Sequence, residues 1–117
     1  MCIRDRATIE ILTEEGFLDS VNARGEQLRS GLERLQNDYP VIEHIRGAGI
    51  MIAADLATAS DTAAVVQHCL NESNLLLMTA GAAGNTIRFM PPLTVSEEEV
   101  DLAIDALNKA LASLQLV

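Results

Sequence analysis

Residues 85–99 change from a strand pattern to a helix pattern across two adjacent prolines, and this change strongly limits the fold. The run from Thr86 to Met90 is short and largely apolar. Pro91-Pro92 ends it, because proline donates no hydrogen bond to a neighbouring strand. Ser96 and Glu99 then have the spacing of a capping box, which predicts a helix directly after Ser96. Any fold of this chain must therefore place a short strand just before a capped helix.

The rest of the chain alternates between amphipathic helix patterns and short apolar runs. A first helix pattern begins at Ala7, and the others are expected to begin at caps. The candidate caps are Asp19 or Ser20 for the restart after Gly16, and Ser60 or Asp61 for the next helix. The candidate strands cover 41–45, 50–54, 75–78 and 86–90. The order α, β, α, β, β, α predicts an α+β fold, with helices packed on a small, mostly antiparallel sheet of three to four strands.

The strand 86–90 is predicted to lie inside the sheet. A strand–helix–strand unit has a right-handed crossover in nearly all proteins, which leaves a gap between its two strands. An antiparallel strand can fill that gap, so 50–54 and 75–78 are expected to flank 86–90. Side chains alternate along a strand, and Arg88 therefore points to the face opposite Ile87 and Phe89.

Arg88 has two interpretations that the residues alone leave open. Its stem can cover apolar surface while the guanidinium reaches water. It can also bind a carboxylate, since a guanidinium is permanently charged and offers two parallel donors. The sequence otherwise contains no nucleophile–base pair, no metal-ligand spacing and no phosphate-binding loop. If the chain belongs to an enzyme, we expect it to supply only part of the active site.

The charge balance excludes one class of partner. The chain has eight Lys and Arg residues and 17 Asp and Glu residues, which gives a net charge of −9. A chain with this charge repels the phosphate backbone of a nucleic acid. No apolar run approaches the roughly 20 residues of a transmembrane helix, so no membrane partner is expected. Cys2 and Cys69 lack the spacing of a metal or redox motif, which is typical of unpaired thiols in a reducing compartment. We therefore expect a cytoplasmic protein.

Three consecutive segments resemble a known family. They read ATIEILTEEGFLDSVNARGEQLRSGLERL at 7–35, HIRGAGIMIAADL at 44–56 and LLLMTAGAAGNTIRFMPPLTVSEEEVD at 75–101. Together they resemble the class-III aminotransferases, most of all the acetylornithine aminotransferases, in order from Ala7 to about Leu114. The resemblance implies the C-terminal small domain of the aspartate-aminotransferase fold (fold type I), which is itself an α+β layer.

This resemblance implies a cofactor and a reaction for the parent enzyme. The cofactor is pyridoxal 5'-phosphate (PLP), and an amino group moves from acetylornithine, or a related ω-amino donor, to 2-oxoglutarate in arginine biosynthesis. The family's arginine before the proline stretch binds a substrate carboxylate, and Arg88 occupies that position. The cofactor lysine and the other main PLP ligands lie in the family's large domain, and Lys109 does not match the lysine's motif. No catalytic or PLP-binding residue is therefore assigned in this chain.

The resemblance also implies partners and boundaries. The expected partners are the missing large domain, a second subunit in a homodimer and a small amino-acid substrate. The likeness begins at Ala7, so residues 1–6 are expected to be unrelated to a domain covering 7–117, and the chain to be an inactive fragment. The alternative is a stand-alone small-molecule-binding or regulatory α/β module without catalysis. A fragment should expose apolar surface that a module would bury.

Overall fold

The structure is a computed structural model that describes residues 2–116. Four helices and four strands occupy this part of the chain. In chain order they are α1 (Ile3–Leu12), α2 (Phe17–Asp38), β1 (Ile42–Ala48), β2 (Met51–Leu56), α3 (Ala59–Ser73), β3 (Met78–Ala80), β4 (Thr86–Phe89) and α4 (Glu97–Ser113). The predicted α+β fold class is confirmed. No helix within residues 2–116 has both the length and the apolar character needed to cross a bilayer.

The strands form one antiparallel sheet in the order β1-β2-β4-β3. The prediction that the strand with Arg88 lies between its two partners is confirmed. The predicted position of β3 is wrong, because pairing begins only at Met78, opposite Arg88, and continues to Ala80. Asn74 reverses the chain with φ of 53°, and Leu77 is then buried in the core instead of pairing with β4.

The helices α2, α3 and α4 cover one face of the sheet. Their apolar stripes meet the inward side chains of β2 and β4, and burying this apolar surface stabilises the domain. The central members of this core are Leu28, Leu32, Val65, Leu107 and Leu111 from the helices, with Ile52, Leu56, Ile87 and Phe89 from the sheet. Helix α1 has no buried residue and includes residues 3–6. That the domain starts only at Ala7 stays a prediction.

Helix starts match the sequence pattern in one case and depart from it in two. Ser96 and Glu99 form the predicted capping box of α4, with bonds of 3.1 Å and 2.8 Å. Helix α3 is capped by Thr58, whose hydroxyl accepts from the Asp61 amide at 3.0 Å, so Ser60 and Asp61 lie inside the helix. Helix α2 begins at Phe17 behind Gly16, before the expected caps Asp19 and Ser20. Gly16 supplies the left-handed φ of 81° that the junction needs.

Candidate functional site on the open face of the sheet

The face of the sheet opposite the helices carries a mixture of charged and apolar side chains. We call it the open face. Its members are His44, Arg46, Met51, Ala53, Asp55, Met78, Ala80, Thr86 and Arg88, which alternate with core residues. Met51 and Met78 are each about half exposed, at 52% and 51%. Since no helix of the described residues covers these side chains, the open face is the part of the sheet available to a ligand or another domain.

Arg88 lies near the middle of the open face and is half-buried. Its neighbours across the strands are Ala53 on β2 and Met78 on β3. A guanidinium Nη2 lies 3.7 Å from the sulfur of Met78, which is only a weak acceptor. The Nε of Arg88 is buried and finds no acceptor among residues 2–116. A buried donor without a partner costs about 1–3 kcal/mol, so a ligand that supplies an acceptor here would recover that free energy.

No carboxylate within residues 2–116 forms an ion pair with Arg88. The ion pairs in this part of the chain join Arg6 to Glu10, Arg24 to Glu97 and Arg46 to Asp55. The positive charge of Arg88 is therefore not neutralised by the described residues. An arginine held in this way binds a planar carboxylate through two parallel hydrogen bonds.

Beside Arg88 lies a polar cluster formed by Arg46, Asp55 and Thr86. Arg46 donates through Nη1 to Asp55 Oδ2, and the Thr86 hydroxyl donates to Asp55 Oδ1 at 2.6 Å. The second Nη of Arg46 reaches the Thr86 hydroxyl at 3.5 Å. The hydrogen bond from Arg46 is the main reason why the pKa of Asp55 lies below its ordinary value. Both carboxylate oxygens of Asp55 are thus engaged.

This cluster was not predicted from the sequence, although part of its signal is present there. A hairpin turn at Gly49 and Ile50 pairs Arg46 with Ala53, and Asp55 is two residues further along β2 on the same face. The contribution of Thr86 depends on the pairing between β2 and β4, which places Thr86 opposite Asp55. That pairing joins residues more than thirty positions apart and leaves no local pattern.

A cleft of about 480 Å³ opens where β4 extends beyond β3. Most of its lining is apolar, and the charged residues in it are Arg88 and Glu99. Glu99 is held by the capping box of α4, through its bond to the Ser96 amide. Several of these apolar residues belong to the core between sheet and helices, so part of the cleft lies on the helix side of the sheet, whereas the side chain of Arg88 points to the open face.

The described residues place no lysine beside Arg88. Lys109, the one lysine of the chain, is exposed on α4. Helix α4 packs on the face of the sheet opposite Arg88. No cluster of His, Cys, Asp or Glu within the described part of the chain could hold a metal ion either. What the described residues provide is one half-buried arginine on a strand that is paired on both sides.

Known proteins match nearly the whole chain. The sequence pattern of the family described as Aminotransferase class-III matches residues 1–111. The acetylornithine aminotransferase of Thermosynechococcus vestitus is 44% identical over 108 residues, which cover 90% of this chain and 26% of that protein. The acetylornithine aminotransferase of Caldanaerobacter subterraneus subsp. tengcongensis is 33% identical over 114 residues, covering 97% and 28%.

A solved structure agrees with these sequence matches. The lysine aminotransferase from M. tuberculosis superposes with a TM-score of 0.87 at 36% identity, covering 95% of this chain and 25% of that one. The chain therefore spans about a quarter of the length of the relatives that it matches.

Proposed function

Since the chain belongs to the class-III aminotransferases, we propose that it works as the C-terminal small domain of a PLP-dependent transaminase. The complete enzyme moves an amino group from acetylornithine, or a related ω-amino donor, to 2-oxoglutarate. The similarity to two acetylornithine aminotransferases supports this donor, and the similarity to a lysine aminotransferase supports the wider class of amino acids with a distal amino group.

Within this function, Arg88 binds a carboxylate of the substrate. The observation that carries this assignment is the state of its guanidinium. Arg88 forms no ion pair within residues 2–116, and its buried Nε has no acceptor there. A substrate carboxylate would satisfy both the charge and the donor. Because β4 is paired on both sides, the bound carboxylate would be held in one place relative to the rest of the active site.

PLP, when bound in the complete enzyme, supplies the electron sink that stabilises the substrate carbanion. The residues of this chain do not hold the cofactor, so the lysine and the phosphate ligands must come from the remaining three quarters of the enzyme. Arg88 has a separate task, which is to orient the substrate through its carboxylate.

The exposed side chains of the open face favour one interpretation over the other. They are more typical of a domain that packs against another part of the same enzyme than of a stand-alone module. Met51 and Met78 are half exposed beside a half-buried arginine, a surface that an independent binding module would cover. We propose that the large domain covers this face, that the enzyme is a cytoplasmic homodimer, and that the isolated chain is inactive. Incubation of the 117-residue chain with PLP, acetylornithine and 2-oxoglutarate should yield no glutamate; glutamate formation would contradict the proposal of an inactive fragment.

The experiment that tests Arg88 is its replacement by alanine in the complete enzyme. Losing a desolvated charge pair costs about 2–5 kcal/mol, so kcat/KM for the carboxylate-bearing substrates should fall by at least ~30-fold. PLP content, read from the cofactor absorbance, should stay at the parent value. Arg88→Lys should recover only part of the loss, because lysine lacks the planar pair of donors.

The matched control is Arg34→Ala, which removes an exposed arginine from α2, away from the open face. It should leave kcat/KM at the parent value. If Arg88→Ala has the same kcat/KM as Arg34→Ala, Arg88 does not bind the substrate carboxylate.

A further inference from the structure

We propose that Arg46 and Thr86 hold Asp55 away from Arg88, and that this keeps Arg88 available for the substrate carboxylate. Arg46 is then a positioning residue that acts through Asp55 without touching the substrate. The inference depends on the proposed function of Arg88, and its test distinguishes the two.

The register of the sheet places Asp55 between two arginines. Arg46 on β1 and Arg88 on β4 both lie opposite Ala53, one on each side of β2. Asp55 lies two residues along β2 on the same face, so it is the diagonal neighbour of both arginines. Diagonal neighbours in a sheet are about 7–8 Å apart, within reach of a long side chain. Asp55 therefore has two possible arginine partners, besides His44, which lies directly opposite it on β1.

The structure shows which partner Asp55 takes. Its Oδ2 accepts from Arg46, and its Oδ1 accepts from the Thr86 hydroxyl at 2.6 Å. Thr86 lies directly opposite Asp55 and precedes Arg88 by two residues on β4, so its hydroxyl occupies the oxygen not used by Arg46. Both oxygens are engaged, one by Arg46 on β1 and one by Thr86 on β4, and Arg88 is left with Met78 as its neighbour.

Asp55 cannot remain unpaired at low cost in this position. Its side chain is only 16% exposed, whereas that of Arg46 is 54% exposed. A shielded carboxylate without a cation is unfavourable, so without Arg46 the guanidinium of its other diagonal neighbour, Arg88, would become its ion-pair partner. Such an internal carboxylate would compete with the substrate for the same donors.

The competition has a calculable effect on the apparent affinity. If Asp55 occupied Arg88 for about nine-tenths of the time, the apparent KM for the carboxylate substrate would rise by about tenfold, since only the free fraction binds. The rate constant kcat would change much less, because the complex, once formed, has Arg88 in its normal place.

The test uses the complete, PLP-loaded enzyme with Arg46→Met, and with Arg46→Met combined with Asp55→Asn. We expect Arg46→Met to raise KM by about tenfold. The double variant should return KM towards the parent value, because asparagine carries no charge to compete for Arg88. A merely structural role of the cluster predicts the opposite, since removing a second member of the network would not restore binding. Arg34→Met, on the outer side of α2, is the matched control.

Two results would overturn the inference. One is a KM for Arg46→Met equal to that of Arg34→Met. The other is a double variant whose KM is as high as, or higher than, that of Arg46→Met. If Arg46→Met fails to fold, Asp55→Asn alone decides: the inference requires a KM no higher than that of the parent, and a higher KM would mean that Asp55 helps Arg88.

Arg88→Ala in the same assay separates this inference from the proposed function. If Arg88→Ala leaves KM and kcat/KM unaffected, the proposed carboxylate site fails, and the inference about Arg46 fails with it. If Arg88→Ala impairs binding but Asp55→Asn does not rescue Arg46→Met, only the inference about Arg46 fails.

Discussion

Gly25 on α2 offers a sharp test of how the helices position the open face. It is buried where α2 crosses the turn between β1 and β2. A Cβ added at Gly25 would lie 2.7 Å from the carbonyl carbon of Gly49 and nearer still to the carbonyl oxygen. The turn that it would displace connects the strand of Arg46 to the strand of Asp55. Gly25→Ala therefore tests the backbone contact between α2 and the turn of the hairpin that carries Arg46 and Asp55.

Two opposing effects set the expected magnitude. In an unobstructed helix, replacing glycine by alanine stabilises by about 1 kcal/mol. Here the carbon–carbon separation must grow from 2.7 Å to an ordinary contact of about 3.5 Å, so helix and turn must move apart by roughly 0.8 Å. Overpacking costs about 1–3 kcal/mol, and the upper end applies because the obstacle is backbone that cannot rotate away. We expect a net loss of about 2 kcal/mol in the free energy of unfolding, or roughly 8 °C in Tm.

Urea unfolding followed by circular dichroism measures this change, and Gly31→Ala is the matched comparison. A Cβ at Gly31 would lie 2.7 Å from Cγ1 of Ile104, a side chain that can be truncated. Combining Gly31→Ala with Ile104→Ala should therefore recover stability relative to the sum of the single changes. A Gly25→Ala chain as stable as the parent, or more stable, would refute the close contact between helix and turn.

Two further predictions concern titratable groups. The pKa of Asp55 is lowered in the folded chain, chiefly by the hydrogen bond from Arg46, with smaller effects of Thr86 and His44. Its stabilisation is therefore present above the unfolded pKa of about 3.9 and is lost as the pH falls through the folded value, so Tm should fall less steeply below about pH 4 in Asp55→Asn. An equally steep fall would contradict this. Burial raises the pKa of Cys69 to about 11, whereas Cys2 is exposed. A thiol reagent at about pH 8 should label Cys2 rapidly and Cys69 only after unfolding; rapid labelling of both in the folded chain would argue against the buried site.

The elements predicted correctly from the sequence are those that local physics specifies. The Ser96–Glu99 capping box, the apolar stripes of α2 and α4, and the end of β4 before Pro91 each depend on residues a few positions apart. The right-handed crossover rule was enough to place β4 between β2 and β3. The errors have local causes as well. Thr58 and Gly16 are the residues that directly precede α3 and α2. Polar residues a few positions later were predicted as the caps instead, because their side chains are equally able to cap a helix.

Alternation and helix periodicity are properties of neighbouring residues. The sequence was therefore enough to predict the fold class, the central strand and an arginine on the face opposite the core. Which charged side chains pair with one another, by contrast, depends on the three-dimensional arrangement of the strands. Asp55 lies diagonal to Arg46 and Arg88, and its choice of Arg46 depends on strand register and on the hydroxyl of Thr86. Electrostatic pairing is set by distances of a few ångströms between residues distant in the chain. For that reason the sequence could identify Arg88 as a candidate, while the structure was needed to find that its charge is left unpaired within residues 2–116.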